Sequence, residues 1–429
     1  MTSPTSQAAA ASADDVPTGF APYLFAHGAW FLAFGVQVVL FPYLVRVVLQ
    51  ESEVRFGLAQ MALQLPTTLF ILLGGALADR VPVKSIVVVA CAFAVLTFAG
   101  LGAMVSAGVL TYGLIIVYAL TVGTAQAFST PARDSLLSLV APARGGVQGA
   151  VAYASLAQFG GQILGMGCAA AAPLLGVGPL LLGQAVLMVA ATLAALRIRP
   201  RPAPVRPPRD APLLLSIGRD IREGFAAVLA SPVIAPVMLC GVAMGVCFMG
   251  SFFVLLPLIV ESYFDGQALS PGKTEIASAL GLYSMCFWVG SMVSALALVR
   301  IGPLRRKGLI YLSALGSGGV ILLLCGLQLP FWLFCGLNFA WGLGGGVAMT
   351  LGRSFVQQHA PETVRARVLS IFTLGLMGGG PLGAVVDGFL AQAFGPHVAV
   401  IFPGALMLLI VAGLFAFSKV PKLSDFPAT

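Results

Sequence analysis

The chain has 429 residues, 59% of them hydrophobic and only 9% charged, with a formal net charge of +8. This composition excludes an ordinary water-soluble domain and defines a polytopic membrane protein. The positive balance would suggest nucleic acid in a soluble protein, but here the cations flank apolar segments and match an anionic cytoplasmic leaflet, so no nucleic-acid partner is expected.

Residues 1–19 are rich in Ser, Thr, Ala and Pro, carry Asp14 and Asp15 and contain no Lys or Arg. Without the cationic start of a signal peptide they read as a disordered cytoplasmic tail. Twelve apolar segments follow, near 20–48, 55–78, 85–106, 110–131, 146–173 and 177–196, then 232–260, 276–299, 308–327, 331–351, 368–394 and 397–418. A membrane crossing takes roughly 20 apolar residues, so twelve spans leave only short loops and no large soluble domain. Helices are expected throughout, because an unpaired backbone group costs several kcal/mol in lipid and these runs do not alternate as barrel strands do.

All but three of the 23 Lys and Arg fall in alternate connections; only Arg46, Arg55 and Lys273 lie on the other side. The positive-inside rule then places both termini and the even-numbered loops in the cytoplasm, in a plasma membrane of the bacterial inner-membrane type. The longest connection, 197–231, opens with a Pro- and Arg-rich run from Arg197 to Arg209 that suits an extended linker. It continues from Leu213 to Leu229 with apolar residues mixed among Arg219, Asp220, Arg222 and Glu223, the pattern of a helix lying on a membrane surface. The linker separates six spans in 20–196 from six in 232–418, and residues 419–429 form a second cytoplasmic tail.

An internal repeat supports this division. Ala141-Pro142 recurs as Ala360-Pro361, Gly160-Gly161 as Gly379-Gly380 and Leu77 as Leu296, all at one offset of about half the chain. The expected fold is therefore all-α, with 12 transmembrane helices in two pseudo-symmetric six-helix bundles and a substrate path between them. Gly160, Gly161, Gly380, Pro381 and Gly383 are candidate packing or hinge positions, since small residues let helices approach closely.

The most specific motif runs from Gly74 to Lys84, Gly-Gly-Ala-Leu-Ala-Asp-Arg-Val-Pro-Val-Lys, where an apolar helix ends in small residues followed by an acid and two bases. It resembles the loop between spans two and three of the major facilitator superfamily, G-x-L-a-D-r-x-G-r-k. Gly75, Leu77, Asp79, Arg80 and Lys84 match it, whereas Pro82 and Val83 stand where that pattern has Gly and Arg. The resemblance implies a cytoplasmic gate in which Asp79 and Arg80, with Lys84 and Arg133, lock one conformation. The plainer alternative is a topogenic loop of solvated charges. In the second half, Ser294 to Lys307 keeps only bases. Pro131 to Leu137 with Val140-Ala141-Pro142, and Ala360 to Val368, resemble the branch of siderophore and secretion-type exporters. Unlike typical drug/proton antiporters, the chain has no base from Leu110 to Pro131, and Gly161 is followed by Gln162, although Gly380-Pro381-Leu382-Gly383 resembles their Gly-Pro signature.

Resemblance to this superfamily implies a cavity lined mostly from spans one, four, seven and ten. His27, Trp30, Phe34 and Gln37 share one face of the first helix, Gln126 lies in the fourth, and Phe334, Asn338 and Trp341 share a face of the tenth. Ser155, Gln158 and Gln162 form a stripe in the fifth. Any of these could instead be interhelical packing, where a polar contact contributes about 0.6 to 2 kcal/mol. Together they suit an amphipathic, weakly charged organic solute better than a sugar phosphate or an anion. Asp387 is the one acid inside a span. A membrane carboxylate costs on the order of 2.5–3.5 kcal/mol, so it is a candidate for proton coupling, with a wetted place near the outer mouth as the alternative.

No cofactor or metal is expected. The seven cysteines lie in apolar segments without C-x-x-C spacing. Pro271-Gly272-Lys273-Thr274 lacks the Gly that a phosphate-binding loop needs at 267, where Gln267 stands. The resulting expectation is a monomeric secondary transporter in the lipid bilayer, exporting a small organic solute in exchange for protons. An importer or uncoupled facilitator is the nearest rival. A membrane-embedded enzyme would need clustered catalytic groups, and a non-transporting receptor would bring a soluble domain; neither is legible in the chain.

Overall fold

The computed structural model describes residues 19–78, 80–142, 146–201, 213–264, 274–302, 304–361 and 364–423. The tail 1–18, Asp79, the middle of the linker at 202–212 and the end of the chain at 424–429 lie outside the described residues. Those that are described form helices and short connections, with no strand among them.

The first half contains α1 (Phe20–Pro42, extended by a π-helical turn, Tyr43–Val48), α2 (Glu53–Ala78), α3 (Val83–Ser106), α4 (Tyr112–Val140), α5 (Gly146–Ala170) and α6 (Val177–Leu196). A linker helix, Leu213–Ala230, precedes α7 (Ile234–Ser262), α8 (Thr274–Ile301), α9 (Lys307–Cys325), α10 (Phe331–His359), α11 (Arg365–Phe394) and α12 (Ile401–Phe417). Eleven of the described helices are long and apolar enough to cross a membrane, which makes this an integral membrane protein. The exception is α5. It has 25 residues, but its Gly and Gln content lowers its hydropathy below that of a typical span, so it is not among the eleven although the sequence reading counts 146–173 as one of twelve apolar segments.

Helices α4 and α10 also run well past the apolar segments read from the sequence. Pro131, Arg133 and Asp134 belong to α4, and Arg353 belongs to α10. The physical reason is that hydropathy marks only contact with lipid or core, whereas a helix can continue wherever its polar side chains line a cavity or face water.

Pairing follows the same order in both halves. Helix α1 packs on α5, α2 on α4 and α3 on α6; likewise α7 packs on α11, α8 on α10 and α9 on α12. The halves meet where α2 crosses α11 and α5 crosses α8. Hydrophobicity gives little attraction between helices in lipid, so close backbone approach must hold them. At the α1/α5 seam, a Cβ on Gly161 or Gly165 would run into the backbone oxygen of Gly28 or Leu32. At the α7/α11 seam, a Cβ on Gly383 would meet the oxygen of Val246. The chain end also packs: Gly308 N–H donates to Leu423 O at 3.1 Å, and Val420 is fully buried.

The neighbouring glycines Gly160 and Gly161, equivalent by sequence, therefore differ in role. A Cβ on Gly160 meets nothing within 4 Å. Gly160→Ala should raise the melting temperature of the detergent-purified protein, because Ala favours a helix by about 0.5–1 kcal/mol. Gly161→Ala should lower it, by an overpacking cost of about 1–3 kcal/mol. Equal shifts of the same sign would refute this account of the seam.

Candidate functional site

A cavity of about 1040 Å³ lies between the two sets of helices. Helix α1 presents His27, Trp30, Phe34 and Gln37 to it, α4 adds Gln126, and α5 adds Gln158 and Gln162. Helix α2 adds Gln60 and Gln64, which the sequence reading passed over although they stand one helical turn apart in an apolar segment. Amides need hydrogen-bond partners, yet several here have none among the described residues: both amide atoms of Gln162, Nε2 of Gln64 and Oε1 of Gln60. These groups can serve a polar solute. Trp30 is held in place by donating its Nε1–H to Gln126 Oε1 at 2.8 Å.

Asn338 and Trp341 do not line the cavity, contrary to the sequence expectation. Asn338 is fully buried and donates to Phe334 O in its own helix at 2.9 Å. Trp341 sits among Phe248, Phe252 and Phe287, with ring centroids 5.2–6.2 Å away. Their face of α10 packs on α7 and α8, so the stripe is a packing seam.

The two ends of the cavity differ. Gly75, Asp134, Arg353 and Arg367 line it at the end that carries Arg80 and Lys84. There Arg80 is exposed, Lys84 Nζ donates to Leu196 O at 2.8 Å, and Arg367 pairs with Glu223 of the linker helix. Arg133 was expected in this gate, but its guanidinium lies deeper, 3% exposed on the cavity wall. Its Cζ stands 4.6 Å from the Trp30 ring centroid and 5.2 Å from that of Phe31. Such contacts contribute about 2 kcal/mol when desolvated. Tyr23 O–H donates to Arg133 O at 3.2 Å and stacks on His27 at 5.4 Å.

At the opposite end the helices close together. There Ser278 Oγ donates to Ala170 O at 2.6 Å across α5/α8, while Thr68 Oγ1 donates to Met377 O at 3.2 Å about midway along α2/α11. Arg46, at the end of α1, donates to Glu261 of α7 at 2.8 Å, to Glu53 of α2 at 3.0 Å and to the backbone oxygen of Glu51. This cluster joins the two halves over the cavity floor, and no sequence motif announced it beyond the position of Arg46 on the sparsely charged side.

Asp387 is 2% exposed between α11 and α7 and is not part of the cavity lining. The wetted alternative does not describe it. Its Oδ2 has no hydrogen-bond partner among the described residues, and it faces Gly250, where a Cβ would come within 2.6 Å. On either side of Gly250, helix α7 is wound as π-helix, Met244–Met249 and Ser251–Leu255. Wide turns of this kind recur at functional sites.

Residues 32–427 match the family of transmembrane secretion effectors, and the chain belongs to that family, within the major facilitator superfamily. The fold and family define a secondary transporter that moves a small molecule across the membrane. The enterobactin exporters EntS of Salmonella typhi and Salmonella typhimurium are 26% identical to it over 392 residues, covering 83% of each chain. Among solved structures, the nucleoside transporter NupG aligns with a TM-score of 0.73 at 15% identity, over 93% of this chain and 98% of its own. A POT family transporter in complex with a thioalcohol-conjugated peptide aligns with a TM-score of 0.73 at 12% identity, over 93% and 96%. These structural likenesses concern the fold alone.

If the Arg46 cluster holds the far end shut, Arg46→Ala should favour opening there. A charged hydrogen bond contributes about 1.5–3 kcal/mol, so the shift should be on the order of tenfold or more. The readout is a single cysteine at Gln60 in a Cys-free variant: its reaction with an impermeant maleimide, added on the face opposite the termini, should accelerate. An unchanged rate would reduce the cluster to surface charge.

Proposed function

We propose that this chain is a monomeric secondary exporter of a small organic solute, driven by proton exchange, in the bacterial inner membrane with both termini cytoplasmic. The observation that carries the reading is the amide-lined cavity, accessible at the basic end and sealed at the other. Under the positive-inside rule the basic end is cytoplasmic, so the cavity stands ready to load from the cytoplasm. The order of helix pairing, the same in both halves, supports twelve spans in two six-helix bundles, with α5 crossing as a sheltered helix against α1. Family membership and likeness to exporters support the direction of transport.

Asp387 is the proposed coupling group. A carboxyl shut between α7 and α11 must be neutral or find a partner, and a rocking motion that wets it would let it exchange a proton. Asp79 and Arg80 are proposed to lock the cytoplasmic end in the outward-facing state. A facilitator would share the cavity but need no such buried acid; an enzyme would need reactive groups clustered along the wall.

Proteoliposomes with an imposed pH gradient test this, with enterobactin as the first solute tried. The wild type should concentrate solute against its gradient. Asp387→Asn keeps the size of the side chain but cannot titrate, so it should lose pH-driven accumulation while retaining energy-independent exchange. Continued accumulation by the mutant would remove Asp387 from coupling. Flux that only equilibrates in the wild type would identify a facilitator, and no flux with any solute would favour a receptor.

A further inference from the structure

Charge along the cavity wall is unbalanced in a way the sequence did not suggest. Three arginines line the cavity, Arg133, Arg353 and Arg367, against one acid, Asp134. Arg367 is engaged by Glu223. Arg133 is the deepest of the three, and it forms no ion pair with any acid among the described residues. Its Nη1 is buried without a hydrogen-bond partner. A buried cation is costly unless compensated, and the rings of Trp30 and Phe31 compensate it only in part. Ring contacts meet the charge through the π face and occupy none of the five guanidinium N–H donors. The donors therefore remain for an oxyanion, and a guanidinium presents them in the fork that fits a carboxylate.

The surroundings narrow the ligand further. Trp30 and Phe31, beside Arg133, and Phe34 one turn farther along α1 offer flat apolar surface, while Gln162 and Gln64 offer unpaired amide groups. We infer that Arg133 is the anion-binding group of the transport cavity and that the solute is an aromatic carboxylate or a close oxyanion equivalent, its acid group on the guanidinium and its ring against the α1 aromatics. This deepens the transporter reading and rests on it. It also departs from the weakly charged solute that the amide and aromatic stripes alone favoured.

The test is equilibrium binding to the purified full-length protein in nanodiscs, which requires no transport. Benzoate, 1-naphthoate and 9-anthroate are each compared with their uncharged carboxamides. Wild type should bind at least one carboxylate tenfold or more tightly than its amide, and Arg133→Gln should abolish the preference by weakening the carboxylate alone. Arg133→Lys should restore part of it, since a point charge lacks the fork. Carboxamides that bind as tightly as carboxylates, carboxylate binding unchanged in Arg133→Gln, or no binding of any probe would each overturn the assignment. The wild-type comparison stands even if a variant fails to fold. Tight carboxylate binding without flux in proteoliposomes would keep Arg133 as the anion site and refute transport instead.

Discussion

A bilayer supplies no water to its interior, so every backbone N–H and C=O must be paired within the segment that carries it, and every polar side chain must find a partner or a wet cavity. The backbone part of that constraint produces the long helices. The side-chain part sorts them. Leu, Val and Phe are left facing outward along α3, α6 and α12, whereas glutamines, the buried Arg133 and His27 are gathered onto the inner faces of α1, α2, α4 and α5. The cavity is the place where polar groups can lie inside a membrane protein without each needing a dedicated partner.

Two kinds of helix contact follow. Within each half the seams are set by glycine: Gly161 and Gly165 of α5 against α1, Gly383 of α11 against α7, backbone against backbone. Such contacts tolerate almost no sliding, because a helix that close has no slack in its side chains. Between the halves, contact runs along α2/α11 and α5/α8 and includes side-chain bonds. Thr68 reaches Met377 midway along α2/α11, while Ser278 reaches Ala170 and Arg46 reaches Glu261 near the floor of the cavity. Glycine sets this boundary too, since a Cβ on Gly57 would meet the oxygen of Ala384, but its polar bonds can exchange for bonds to water as the halves part.

Periodicity in the sequence identified a polar face on α1 and another on α10 with equal clarity, yet only the first lines the cavity. A stripe says that residues share a face; what that face meets depends on which helix is its neighbour, and that is settled by contacts distant in sequence. Asn338 gives an amide N–H to its own helix and leaves its Oδ1 unpaired, so it is polar and still belongs to a packed seam. Gln60 and Gln64 were legible by spacing but sit in a segment whose mean hydropathy disguised them. Arg133 was read as part of a loop because it follows Pro131 and an apolar run; α4 accommodates that proline inside the helix and carries the arginine onto the cavity wall. The gate motif remains the reverse case, specific in sequence while its central Asp79 falls outside the described residues.

Charge placement then links the ends of the cavity to its middle. The carboxylates of Glu53 and Glu261 are neutralised by Arg46 at the closed end, and Glu223 holds Arg367 at the open end. Both pairs lie where water can replace the partner, so breaking either costs far less than it would in a dry core. Arg133 and Asp387 are placed differently. Each is almost wholly buried, each has a polar atom without a partner, and they lie on different helices, one on the cavity wall and one behind it in the α7/α11 seam. A cation with unused donors and a buried carboxyl with an unpaired oxygen both raise the free energy of this state. Any ligand or motion that satisfies either of them lowers it, which is how a static arrangement of residues can favour a change of conformation.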